Sequence, residues 1–157
     1  MKELTITTPI LSADYSELTP MQQRLVGLAR EANTRSYAPY SHFCVGAAIL
    51  LSNGEIVTGA NQENVAFPSG TCAERSACYY AGANYPDAKF EKIAIAARGT
   101  DGREVAMPVA PCGACRQALL EYETLAGHDI EVILAGADCI YILPSVKSLL
   151  PLCFSEF

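Results

Sequence analysis

The chain contains no tryptophan, two histidines, and fewer basic than acidic side chains. Its 11 lysines and arginines and 17 aspartates and glutamates give a net charge of −6, whereas proteins that bind nucleic acid backbones need a basic surface. Long apolar runs are also missing, because the longest, residues 43–51, has about half of the roughly 20 residues that a membrane-spanning helix needs. No basic segment with a following apolar stretch begins the sequence, so no signal peptide is indicated. We therefore expect a small-molecule ligand, with no nucleic acid and no membrane as partner.

The cysteines are seven in number, in a chain of 157 residues of which 50% are hydrophobic. This length fits a single domain over residues 1–157, with a core large enough to fold without disulfide bonds. Secreted disulfide frameworks are small and usually contain an even number of cysteines. We therefore expect a cytoplasmic protein whose thiols are reduced or bound to a metal.

Hydrophobic periodicity and turn residues predict three main helices, five strands and a short last helix after an arm of residues 1–18. The order α-β-β-α-β-α-β-β predicts a mixed five-stranded sheet with helices on both faces, an α-β-α sandwich. A last short helix is predicted over residues 144–150. The other predicted helices span residues 20–33, 72–83 and 112–122, and the strands span residues 43–51, 56–59, 93–97, 130–134 and 139–143.

Two cysteine-containing segments, each at the start of a predicted helix, contain the candidate metal-binding and catalytic residues. They are Cys72-Ala73-Glu74-Arg75 and Pro111-Cys112-Gly113-Ala114-Cys115. Cysteines three residues apart share a helix face, and the positive end of a helix dipole favours the thiolate that binds zinc. Three thiolates leave one position of a tetrahedral zinc ion open to water, as in catalytic sites.

Two other interpretations of these cysteines remain open at this point. A redox dithiol would need Cys112 and Cys115 and would leave Cys72 and Glu74 without a role. A structural zinc site would need a fourth ligand, for which the candidates are His42, His128, Cys78 and Cys139.

Glu74 and Arg75 follow the first cysteine directly. A carboxylate two residues from a ligand can reach a metal-bound water and transfer its proton. Arg75 can donate hydrogen bonds to the sulfurs and offset the charge of three thiolates. A cysteine followed by x-Glu and a later Pro-Cys-x-x-Cys is the signature of zinc-dependent deaminases.

Further segments resemble the small zinc-dependent cytidine deaminases, over roughly residues 20–155. They are Ser-Tyr-Ala-Pro-Tyr-Ser-His-Phe-Cys-Val-Gly-Ala-Ala at 36–48, Asn-Gln-Glu-Asn at 61–64, and Leu-Leu-Pro-Leu-Cys-Phe at 149–154. The resemblance implies the cytidine deaminase fold, one zinc ion per chain, a homotetramer, and hydrolysis of cytidine or deoxycytidine to the uridine and ammonia in pyrimidine salvage. Glu74 would then protonate the ring and the leaving amine.

The resemblance also implies which residues bind the substrate. Phe43 stacks on the pyrimidine, Asn61 and Glu63 bond the ribose hydroxyls, and the backbone of Ala73 reads the base edge. Phe154 enters the site of a neighbouring subunit, in a tail that is apolar through Phe157.

The sequence departs from the family pattern at three places. Phe67 stands where many relatives have tyrosine, residues 98–108 form a longer stretch than usual, and residues 140–143 are more apolar than the usual last strand. Two alternatives to the cytidine deaminase interpretation are a deaminase of a nucleoside antibiotic, which would lack the Asn-x-Glu-Asn run, and a structural zinc-binding interaction module.

Overall fold

The structure is a computed structural model that describes residues 1–155. It contains three α-helices and six β-strands, with single 3₁₀ turns at Tyr15–Glu17, Asn33–Arg35, Phe67–Ser69 and Lys147–Leu149. The helices are α1 (Pro20–Ala32), α2 (Ala73–Asn84) and α3 (Gly113–Ala126). The strands are β1 (Leu11–Ala13), β2 (Phe43–Leu51), β3 (Ile56–Ala60), β4 (Phe90–Gly99), β5 (Glu131–Ala135) and β6 (Ile140–Leu143).

One mixed sheet contains all six strands, in the order β1-β6-β5-β4-β2-β3. Its parallel pair, β4 and β5, is joined through α3, and the other neighbours are antiparallel. The prediction of five strands was wrong by one, because part of the expected arm forms β1. Leu11 pairs with Ile142 of β6, so the unusually apolar last strand is an interior strand of the sheet.

The helices cover both faces of the sheet, which confirms the α-β-α sandwich. On one face, the apolar side of α1 packs Leu25, Val26 and Ala29 against β2, β4 and β5. On the other face, α2 and α3 pack against β2, β3 and β4 around a second cluster that includes Ile95 and Leu119. Burial of these apolar faces provides most of the driving force for folding.

Two glycines let helices pack directly on strand backbones. A Cβ atom on Gly59 in β3 would lie 2.5 Å from the Ala73 carbonyl oxygen and 2.6 Å from the Ala77 nitrogen. A Cβ atom on Gly46 in β2 would lie 2.1 Å from the carbonyl oxygen of Ala29 in α1. The contact at Gly59 fixes the first turn of α2, where the first cysteine motif lies.

The predicted helix and strand bounds agree with the structure to within a few residues, with two exceptions. α3 continues to Ala126, four residues beyond the predicted end, and the helix predicted over residues 144–150 is a single 3₁₀ turn. α1 begins as predicted, with the Thr19 hydroxyl accepting from the Gln22 N–H at 3.4 Å. No helix within residues 1–155 is both long and apolar enough to cross a membrane.

Candidate active site

Three cysteine sulfurs meet where the N-terminal ends of α2 and α3 come together. Cys72 caps α2, Cys112 caps α3, and Cys115 lies in the first turn of α3. The Sγ atom of Cys112 is 3.8 Å from that of Cys72 and 3.5 Å from that of Cys115, and all three lie within 4.8 Å of one another. Sulfurs on a tetrahedral zinc ion with bonds of about 2.3 Å are about 3.8 Å apart, so the donor set fits zinc.

The other candidate ligands lie elsewhere. Within the described part of the chain, the cluster brings together Cys72, Cys112 and Cys115 and no fourth cysteine, histidine or carboxylate. His128 pairs instead with Glu91, 3.4 Å between Nε2 and Oε2. Three protein ligands favour an open metal site over a closed structural one.

The surroundings of the cluster stabilise negative charge on sulfur. The pKa of Cys72 is lowered to about 5, first by a hydrogen bond from the Cys115 thiol and then by one from Arg75, whose Nη2 lies 3.7 Å from the sulfur. The pKa of Cys115 is raised, because it donates to Cys72 and is buried beside Glu74. A bound cation would favour the thiolate form of all three cysteines.

Glu74 is a buried carboxyl group beside this cluster. It is the second residue of α2, its side chain lies next to the Cys115 thiol, and the residue is 4% exposed. Burial, followed by the charge of Cys72, raises the pKa of Glu74. A raised pKa makes the carboxyl group hold a proton more readily than an ordinary glutamate does, which favours a role in general acid–base catalysis.

A cavity of about 500 Å³ opens in front of Cys72 and Arg75. Cavities of this size accommodate small organic ligands. The rest of its lining comes from two neighbouring loops and consists of Tyr40, Ser41, Asn61, Gln62, Glu63, Asn64, Phe67, Gly70 and Thr71. The cavity therefore joins the metal cluster to the predicted ribose-binding segment.

Glu63 lies on the cavity wall with its carboxylate oriented by backbone donors. The backbone N–H groups of Tyr40 and Ser41 donate to its Oε2, at 2.9 and 3.3 Å. A hydrogen bond from the Ser41 side chain, followed by the one from Tyr40, lowers the pKa of Glu63. The group is therefore charged near neutral pH and can accept hydroxyl hydrogen bonds.

Asn61 joins the cavity to the sheet. Its Oδ1 accepts from the Val45 N–H at 2.8 Å, and its Nδ2 donates to the Phe43 carbonyl at 2.9 Å. One amide proton and one oxygen lone pair remain for a ligand. Asn61 therefore also fixes the start of β2.

The remaining predicted substrate residues are not part of the cavity lining. Phe43 begins β2 and is half-buried, and Ala73 begins α2 and is fully buried. Phe154 is 66% exposed, and its carbonyl accepts from Gln117 Nε2 at 2.8 Å. The roles of these residues remain predictions.

Sequence reasoning missed three residues that support the site. Tyr40 and Ser41 hold Glu63 through their backbone N–H groups, which carry no sequence signal, and the Ser41 side chain adds a further hydrogen bond. Arg116 follows the second cysteine motif and donates to the Pro111 carbonyl at 2.8 Å and to the Leu149 carbonyl at 2.7 Å. Its position directly after Cys115 was the available signal for this contact.

Fold and site together define an α/β protein with an open three-cysteine metal centre, of the kind that activates water for hydrolysis. The family model described as the cytidine and deoxycytidylate deaminase zinc-binding region matches residues 20–126. The chain belongs to this family.

Individual relatives agree with this assignment. A cytidine deaminase of Halalkalibacterium halodurans is 37% identical over 134 residues, which is 85% of this chain and 94% of the relative. The crystal structure of a cytidine deaminase from Burkholderia pseudomallei superposes with a TM-score of 0.69 at 35% identity, covering 87% of this chain and all of that one. The enzyme from Mycobacterium tuberculosis gives a TM-score of 0.64 at 31% identity, covering 85% and 97% of the two chains.

Proposed function

We propose that this protein is a zinc-dependent enzyme that hydrolyses the 4-amino group of cytidine and deoxycytidine, releasing ammonia and the uridine nucleoside. The observation that carries the proposal is the open cluster of three cysteines with a buried Glu74 beside it, at one end of a nucleoside-sized cavity. Relatives named cytidine deaminase align along most of the chain and support this substrate.

Each residue of the site has a defined task in this reaction. Cys72, Cys112 and Cys115 would hold a zinc ion, which when bound would act as a Lewis acid and lower the pKa of water to about 7. Glu74 accepts one proton of the attacking water and delivers it to N3 of the ring, and then accepts the second proton of that water and delivers it to the amino group, which leaves as ammonia. Arg75 donates to the Cys72 sulfur and limits the charge that three thiolates place on the metal site.

The substrate contacts follow the predicted assignments. Phe43 stacks on the pyrimidine ring, and the backbone of Ala73 at the start of α2 bonds the base edge. Asn61 and Glu63 bond the sugar hydroxyls at the far end of the cavity. The oriented and charged carboxylate of Glu63 supports this role.

The charges around the cavity favour a nucleoside over a nucleotide. Arg75 is the one basic residue among those that line the cavity, and its guanidinium is directed at Cys72. Glu63 and the net charge of −6 both repel a phosphate group. We therefore expect turnover of deoxycytidylate to be at least about tenfold below that of deoxycytidine.

The assembly and the cellular role belong to the same proposal. The active form is a homotetramer in the cytoplasm that serves pyrimidine salvage. Exposed apolar side chains on α2, near the cavity rim and in the tail support burial against other copies of the chain. They are Tyr79, Tyr80, Val65, Phe67, Leu152 and Phe154.

The decisive experiment measures the loss of ultraviolet absorbance after purified zinc-loaded protein is mixed separately with cytidine, deoxycytidine, deoxycytidylate or free cytosine. Cytidine and deoxycytidine should be converted, and free cytosine should react at least about 10²-fold more slowly, since the sugar-binding groups are then unpaired. A zinc-containing protein that converts none of these compounds would be a structural zinc module. Equal turnover of cytidine and cytosine would remove Asn61 and Glu63 from recognition.

A further inference from the structure

His42 adopts a backbone conformation that is unusual for its residue type. Its φ is +56°, and between residues 1 and 155 it is the one non-glycine residue with a positive φ. The left-handed region is disfavoured for residues with a Cβ atom, although histidine tolerates it better than branched residues. His42 is an exposed residue. Packing of the side chain therefore does not explain the conformation.

Both backbone polar groups of His42 are bonded. Its N–H donates to the Ala38 carbonyl at 3.1 Å, and its carbonyl accepts from the Thr100 N–H at 3.2 Å. The first bond closes a turn over residues 38–42. The second ties that turn to the stretch over residues 98–108, which is longer than in the family pattern.

The turn held by His42 is the one that carries the donors to Glu63. Tyr40 and Ser41, immediately before His42, direct their N–H groups at the Glu63 carboxylate. The Ser41 hydroxyl also accepts from the Phe43 N–H at 3.1 Å. A change of φ at His42 would therefore move both donors relative to Glu63.

The stretch that contacts His42 is itself braced. Gly99 donates to the Arg103 carbonyl at 2.9 Å, and Val105 donates to the Ala97 carbonyl at 3.1 Å, so the segment folds back on β4. Glu104 accepts from Arg30 Nε of α1 at 2.7 Å. The donor of Thr100 is thus held in place by the sheet and by α1.

We propose that His42 and Thr100 are positioning residues for sugar recognition: the Thr100 N–H holds His42 in the left-handed conformation, and His42 in turn sets the turn that orients Glu63. Neither side chain needs to touch the substrate. The longer stretch over residues 98–108 thereby determines how strictly the site requires the sugar hydroxyls. This inference rests on the proposed function, because it assigns the orientation of Glu63 a role in substrate binding.

Substitutions at His42 separate backbone conformation from imidazole chemistry. Asparagine and glycine adopt positive φ readily, whereas valine does not. His42→Asn and His42→Gly should keep KM for cytidine within about twofold. His42→Val should raise KM by about 10- to 100-fold, as expected for a displaced binding group, with a smaller change in kcat. Equal losses in His42→Asn and His42→Val would show that the imidazole itself acts, and would overturn the proposal.

Thr100 offers a second, matched pair of variants. Thr100→Ala keeps the backbone N–H and should behave as wild type, whereas Thr100→Pro removes it and should reproduce the effect of His42→Val. For each variant, kcat/KM is compared for cytidine and for its analogue without the 2′ and 3′ hydroxyls. The preference for cytidine should fall in His42→Val and Thr100→Pro, whereas general damage would lower both values together and contradict the proposal.

An observation independent of turnover keeps this test separate from the proposed function. The titration of the Glu63 carboxyl carbon, followed by NMR, should show a pKa below the ordinary value in wild type and a larger rise in His42→Val than in His42→Asn. Both variants lose the electrostatic attraction of the imidazole, whereas valine also displaces the backbone donors. Failure of wild type to convert cytidine would count against the proposed function alone. Equal Glu63 titrations in His42→Val and His42→Asn would refute the positioning role, whatever the substrate.

Discussion

Glu74 is a carboxyl group that the chain buries in the first turn of α2, next to a cluster of thiols. Glu74→Gln keeps the size of the side chain but cannot carry a proton. We expect kcat to fall by at least about 10³-fold, because the same carboxyl group makes more than one transfer. Steady-state kinetics measure the loss, with zinc content and circular dichroism as controls that should not change. A variant within tenfold of wild type would remove Glu74 from the mechanism.

A substitution of Cys112 tests the assignment of the metal ligands. Cys112→Ala removes one of three ligands and should abolish most zinc binding, together with part of the stability, since metal binding contributes to folding. Metal analysis should give one zinc per chain in wild type and a large loss in the variant. Cys139→Ala, outside the cluster, is the matched control and should keep its zinc. Full zinc occupancy in Cys112→Ala would contradict the ligand assignment.

For single residues, the sequence predicted the functional role where that role depends on side-chain chemistry. Cys72, Glu74 and Cys112 could be found because residue type and spacing are themselves the signal for metal binding and proton transfer. The backbone donors of Tyr40 and Ser41 could not, because every residue except proline carries a backbone N–H. The φ of His42 could not either, because the residue type does not determine it. Such contacts depend on how two loops meet in three dimensions.

Among the elements, α2 depends on close contact with β3. Gly59→Ala would place a methyl group 2.5 Å from the Ala73 carbonyl, so α2 must move and carry Cys72 and Glu74 with it. We expect the free energy of unfolding to fall by about 1–3 kcal/mol and kcat to fall as well. Urea unfolding and kinetics measure both effects.

Gly27→Ala in α1 is the control, because its Cβ atom would meet nothing within 4 Å. It should stabilise the protein by about 0.5–1 kcal/mol with unchanged activity. Equal behaviour of the two alanine variants would mean that α2 does not depend on the close approach at Gly59.

α3 is fixed at its C-terminal end by a buried carboxyl group. Glu123 is 2% exposed and accepts from the N–H groups of Ile130, Val146 and Lys147, at 2.9, 2.6 and 3.2 Å. Glu123→Ala leaves these donors without their partner and should lower the free energy of unfolding by about 3 kcal/mol. Glu121→Ala, exposed on the same helix, should change it by less than about 0.5 kcal/mol. Thermal unfolding compares the two variants, and equal stabilities would refute the role of Glu123.

The main helices and strands could be predicted because apolar residues recur in them with the period of a helix or form a continuous run typical of a buried strand. β2, with its continuous apolar run, has the bounds that the sequence predicts, and α1 begins at Pro20, the predicted first residue of that helix. β1 could not be predicted, because it is three residues long, largely exposed, and stabilised by pairing with a strand about 130 residues away. Its partner β6 did carry a signal, as an excess of apolar residues over the family pattern.

For the whole molecule, the prediction concerns the tail. Deleting residues 152–157 removes Phe154, and activity should fall while each chain keeps its zinc, because the proposed homotetramer completes each site with a neighbour's tail. Of this tail, Glu156 and Phe157 lie outside the described residues. Steady-state kinetics and metal analysis of the truncated protein measure the two effects.

Mixing the truncated chain with Glu74→Gln should partly restore activity, since the intact tail of one chain can complete the other's site. Neither protein alone provides an active site with both parts. If light scattering shows a monomer and that monomer is fully active, the homotetramer is ruled out as the active form.

The pairing of Leu11 with Ile142 has a consequence for the order in which the sheet is completed during synthesis. Translation runs from the N-terminus, so β1 leaves the ribosome before every other strand, while β6 leaves after them. β1 therefore stays unpaired until β6 has been synthesised, and β6 keeps one edge unpaired until β1 pairs with it. Until then, the nascent sheet presents an apolar open edge, the kind of surface to which chaperones and other unfolded chains bind.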